Sequence, residues 1–134
     1  MVSNANVTQE VKDAFKAVTK KEARWAIAKV EGDSIVHVAS GPREHTIADL
    51  HAALGDTPCY VVVDFDATRE DGSTLCKTCF IAYSPDSCRS MQDKFALQNF
   101  RESVKSGVMC HKEMQINDKA DCTENEFREQ FGLN

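Results

Sequence analysis

Thr78-Cys79-Phe80-Ile81-Ala82-Tyr83-Ser84-Pro85-Asp86-Ser87 joins an apolar strand directly to a turn and a helix start. Pro85 fixes φ where the strand must stop, and Asp86 or Ser87 can accept from the free N–H groups of a first helical turn. The helix is expected over 87–105, with Gly107 marking its end. Its apolar residues do not share one face. At about 100° per residue, Cys88, Met91 and Phe95 form one stripe, and Leu97, Phe100 and Val104 form another on nearly the opposite side. The face continuous with the second stripe carries Asp86, Ser90 and Asp93 in the first half, which is poor core material. The second half is therefore expected to pack on the domain, while the first half is kinked or presents Met91 and Phe95 elsewhere. Large apolar groups rimmed by Arg89, Gln92 and Lys94 suggest a partner surface. A helix sandwiched between two elements of its own domain fits the pattern equally well.

Moving outward toward the N-terminus, 67–74 reads as a polar loop centred on Asp71-Gly72. Before it, Cys59-Tyr60-Val61-Val62-Val63 is apolar at every position, as a central strand covered on both faces would be. A short helix with core residues Ile47, Leu50 and Leu54 precedes that strand, with Thr46 and Asp49 as a reciprocal cap. Strands are expected over 25–30 and 35–39, joined by a tight turn at Glu31-Gly32-Asp33-Ser34 and ended by Gly41-Pro42. The first helix opens near Thr8, with Val11, Phe15 and Val18 as its core stripe. Residues 1–6 read as a flexible tail. Toward the C-terminus, 108–116 reads as a fifth strand, and Thr123 to Glu126 as the capping box of a last helix burying Phe127 and Phe131. Helical crossovers imply an α/β (α+β) fold, a five-stranded mixed sheet sandwiched between helices on both faces.

The 134 residues suit one domain spanning 1–134. No apolar run approaches the roughly 20 residues of a membrane span, and the opening Met1-Val2-Ser3-Asn4 lacks the features of a secretion signal, so a cytoplasmic protein is expected. With 16 Lys+Arg against 21 Asp+Glu, the formal charge of −5 argues against nucleic acid as a partner. In a reducing compartment, the six cysteines read mainly as small buried hydrophobes.

This order of elements, with a strand entering Tyr83-Ser84-Pro85-Asp86-Ser87 and a long helix, resembles the actin-depolymerising factor/cofilin family. Met1-Val2-Ser3 followed by Val7, Glu10 and Phe15 is similar to that family's opening. The resemblance implies the family's five-stranded fold and a non-enzymatic, monomeric binder of actin monomers and filaments at the cytoskeleton, with no cofactor or metal. It implies a monomer-binding face of Ser3, Arg89, Met91, Lys94 and Phe95, and filament contacts through Lys77 and Arg128. It also implies regulatory phosphorylation at Ser3 and acidic phosphoinositides as further ligands. The sequence departs from the family pattern at Lys94-Phe95-Ala96-Leu97-Gln98-Asn99 within the helix, at Asn4 after the early serine, and at Leu75 where a second basic residue is usual. Severing is therefore expected to be weak. Coactosin-like proteins and glia maturation factor, which act on actin differently, share the fold.

Other chemistry finds little support. Cys76-Lys77-Thr78-Cys79 has zinc or redox spacing, but on a strand residues three apart face opposite ways. Zinc would need further ligands, and only Cys110-His111 is a candidate. His37, His45, His51 and His111 are scattered and match no nucleophile motif. Asp64 and Asp66 share a face and read as a solvated strand end.

Overall fold

The computed structural model describes residues 6–108 and 110–133. The strand expected at 78–83 begins earlier, at Thr74, and pairs with a strand that runs past Val63 to Thr68. The loop expected over 67–74 thus shrinks to a turn over 69–73. There the Asp71 carboxylate accepts from the Ser73 backbone N–H at 2.9 Å, while Arg69 N–H donates to the Ser73 carbonyl at 2.8 Å. The polar residues flanking that turn lie in strands whose ends reach solvent, so their hydrophilicity did not mark a loop.

In chain order the described elements are β1 Asn6–Val7, α1 Gln9–Thr19, β2 Ala23–Glu31, β3 Ser34–Pro42, α2 Ile47–Ala53, β4 Cys59–Thr68, β5 Thr74–Tyr83, α3 Met91–Lys105, β6 Lys112–Ile116, a 3-10 turn Lys119–Asp121, and α4 Glu124–Gln130. The sheet order is β1-β3-β2-β4-β5-β6, with parallel pairs only at the two edges. The mixed sheet is as expected, but it has six strands among the described residues rather than five. The extra one is β1, two residues that pair with Ser34 and Ile35, so residue 6 is not part of a loose tail. The last strand is shorter than expected, starting at Lys112 rather than 108.

Gly41-Pro42 does not interrupt β3. The Trp25 ring lies where a Cβ on Gly41 would stand, only 2.3 Å from it, so glycine there admits the tryptophan. Pro42 occupies the last position of the strand, where a missing N–H is tolerated.

Alternation along β4 and β5 divides the interior in two. Cys59, Val61, Val63 and Phe65, with Cys79, Ile81 and Tyr83, face α2 and α4 and meet Leu50, Leu54 and Phe127. Tyr60 and Val62, with Phe80 and Ala82, face α1 and α3 and meet Phe15, Val18, Leu97, Phe100 and Val104. The all-apolar stretch of β4 follows from this double cover. Cys76 and Cys79 leave β5 on opposite faces, so they form no pair. Burial pushes the Cys59, Cys79 and Cys122 thiols up to about 12, which leaves them inert at neutral pH.

Candidate functional site

Four residues separate the expected and observed starts of α3. Ser84 and Asp86 donate backbone N–H groups to Ile116 and Asn117 at 2.9 and 2.8 Å, so the turn is tied to the end of β6 and cannot coil. The Ser87 hydroxyl donates to Asp56 at 2.8 Å, which directs its side chain to the loop after α2. Ser90 caps instead, its Oγ accepting from the Asp93 N–H at 3.2 Å, and the helix runs unbroken from Met91.

From that start, two faces separate cleanly. Leu97, Phe100 and Val104 are buried, each such burial contributing roughly 1.5–3 kcal/mol. Met91 and Phe95 are each 74% exposed, which rules out a helix sandwiched within its own domain. Spaced at i, i+3, i+4 and i+7, Met91, Lys94, Phe95 and Gln98 share the outward face. Arg89 is exposed in the extended lead-in just before the helix. The structure therefore gathers Arg89, Met91, Lys94 and Phe95 at one end of α3.

The other end of the helix is held to β6. Arg101 and Lys105 both pair with Glu113 at 2.9 Å, and Arg101 also donates to Gln115 at 2.8 Å. The Lys105 hydrogen bond holds the Glu113 carboxyl below its ordinary range, with Arg101 assisting against partial burial. The Tyr60 hydroxyl donates to the Leu97 carbonyl from beneath. An apolar pair is thus presented on a helix fixed from its buried side.

Lys77 lies elsewhere. Its place in β5 puts it on the sheet face covered by α2 and α4, opposite Phe65, whose ring contacts Phe127 and Phe131 on either side of Arg128. Lys77 and Arg128 therefore belong to the face opposite α3 and are separate from its site. Leu75 is buried. Ser3 lies outside the described residues.

The reading of Asp64 and Asp66 as a solvated strand end fails for Asp64, which is fully buried. Lys21 Nζ and Arg43 Nη1 each approach its Oδ2 at 2.9 Å, and Arg24 bonds Asp66 at 2.9 Å. Burial disfavours the charged form of Asp66, but hydrogen bonds from Cys76 and Arg24 outweigh it and lower its pKa. Cys76 lies within the same cluster. No local motif signals it, because the cations come from positions 21, 24 and 43.

The family described as cofilin/tropomyosin-type actin-binding protein matches residues 4–132. The chain belongs to that family. It is 36% identical over 76 residues to the actin-depolymerizing factor of Brassica napus, a match spanning 56% of this chain and 60% of that protein. With the actin-depolymerizing factor of Vitis vinifera it shares 32% identity over 124 residues, covering 87% of this chain and 84% of the relative. The fold superposes on the crystal structure of Plasmodium berghei actin depolymerization factor 2 with a TM-score of 0.83, at 22% identity and over 97% of both chains. The cofilin-like architecture expected from the resemblance is thereby borne out, with its edge strand added.

Proposed function

We propose that this cofilin-family chain binds actin monomers through the outward face at the start of α3 and promotes filament turnover, with weak severing. The observation that carries this reading is the pair Met91 and Phe95, each 74% exposed on a helix whose opposite stripe is fully packed. Isolated apolar groups on a surface are ordinary, but two large ones a helical turn apart, flanked by Arg89 and Lys94, form an anchor of the kind interfaces use. Truncating such anchors typically costs on the order of 2 kcal/mol, so Met91→Ala with Lys94→Ala is expected to weaken monomer affinity at least about tenfold with an unchanged melting temperature. Intact affinity in that variant would overturn the assignment.

Phosphorylation of Ser3 is part of the same reading. It would add about −1.5 to −2 charges near the start of the chain. That charge would compete with actin carboxylates for Arg89 and Lys94. Phosphoserine incorporated at position 3 is expected to lower actin affinity several-fold, more at low salt than at high. Equal affinities at low ionic strength would exclude a charge switch there.

A further inference from the structure

Just beyond α1, Lys21 holds a φ of 64°, a left-handed conformation that side-chain-bearing residues rarely adopt. Its Nζ lies 2.9 Å from Asp64 Oδ2 and only 2.6 Å from Cys76 Sγ. That approach is closer than the roughly 2.7–3.2 Å of N–H···O bonds, although sulfur is larger than oxygen. It is far longer than a direct nitrogen–sulfur bond. A single oxygen bonded to both atoms would span it without moving the backbone. Among the described residues, no other cysteine has a lysine nitrogen within hydrogen-bonding reach.

We propose that peroxide joins Lys21 and Cys76 through one bridging oxygen, Nζ–O–Sγ, forming a reversible covalent clasp between the end of α1 and β5. In the first step, hydrogen peroxide transfers an oxygen to sulfur, the peroxide O–O bond breaks, and the thiol becomes a sulfenic acid with release of one water. A second peroxide then removes the sulfenic O–H hydrogen and one amine hydrogen as the O–N bond forms, leaving as two waters. Sulfur and nitrogen each lose two electrons, and the two peroxides gain four. Four thiols, oxidised to two disulfides, reduce the S–O and N–O bonds, release the oxygen as water and return the free thiol and amine.

The surroundings suit this chemistry. Lys21 is 53% exposed and Cys76 is partly exposed, so peroxide can reach both. The Cys76 thiol donates to Asp64 Oδ1 at 3.4 Å, which places a carboxylate where the leaving proton goes. Asp64 and Asp66 from β4, Arg24 from β2 and Arg43 from the segment after β3 complete the ring of charges facing the pair. Burial, with the two carboxylates, raises the thiol pKa, and bonding to Cys76 and Asp64 raises that of the ammonium. Both groups must lose protons to couple, so the clasp is expected to form faster as pH rises above neutrality.

The test is mass spectrometry of the whole protein treated with hydrogen peroxide and digested without reductant. The expected product links the Lys21 and Cys76 peptides, heavier than their sum by one oxygen and lighter by two hydrogens, and dithiothreitol releases it. Cys76→Ser and Lys21→Arg should both abolish it, the arginine preserving the charge beside Asp64 so that the fold is retained. Three outcomes would overturn the proposal: a linked pair lacking the oxygen, Cys76 oxidised only to sulfinic or sulfonic acid, or the same linkage persisting in Lys21→Arg.

Discussion

At Asp64 a fully buried carboxylate is opposed by Lys21 and Arg43, both of which reach solvent. Removing one partner of a buried pair typically costs roughly 3–5 kcal/mol, because the charge left behind has neither water nor counter-ion. Here the orphaned cations can rehydrate, so Asp64→Asn is expected near the low end, about 3 kcal/mol. Urea denaturation would read this as a lower midpoint with an unchanged slope. A loss under about 0.5 kcal/mol, the range of ordinary surface changes, would mean that the pairs contribute nothing net. The sequence placed Asp64 and Asp66 on one strand face correctly and then misjudged what covers them. Strand alternation is a local property. The arrival of cations from the turn after α1, from β2 and from beyond β3 depends on the packed fold.

Helix α3 shows which parts of an element are legible before the structure is seen. Its two apolar stripes follow from helical geometry alone, and the structure buries one and exposes the other. Its start does not follow, because Asp86, Ser87 and Ser90 all have capping chemistry. The choice fell to Ser90 once Ile116 and Asn117 had accepted from the backbone at 84 and 86 and Asp56 had drawn the Ser87 side chain away. The two stripes make opposite predictions. Leu97→Ala should cost about 2–5 kcal/mol of folding stability, since it empties a fully buried site between α3 and the sheet. Phe95→Ala, on the solvent side, should stay within about 0.5 kcal/mol of the parent. Thermal denaturation of the two variants side by side checks both. A Phe95→Ala protein as unstable as Leu97→Ala would place Phe95 in the core after all.

Across the whole molecule, the sheet separates two candidate contact surfaces. Met91, Lys94 and Phe95 lie on the helix packed over one face, while Lys77 and Arg128 belong to the other. The layered fold was legible because periodicity changes between strand and helix along the chain. The edge strand β1 was missed because two residues carry no period. Sites with no shared partners usually contribute additively, so substitutions on the two sides should act independently. Lys77→Ala with Arg128→Ala is expected to reduce co-sedimentation with actin filaments several-fold while leaving affinity for monomers unchanged. Both side chains are half-buried and reach solvent, so the filament effect should shrink as salt rises, charges there attracting over a Debye length of only about 8–10 Å at ordinary ionic strength. Leu75 cannot supply a missing cation on that face, since its side chain is buried in the sheet. The proposed weak severing follows from that sparse charge. Imaging single filaments would test it directly, and rapid fragmentation at low protein concentration would show that contacts other than Lys77 and Arg128 supply the second surface.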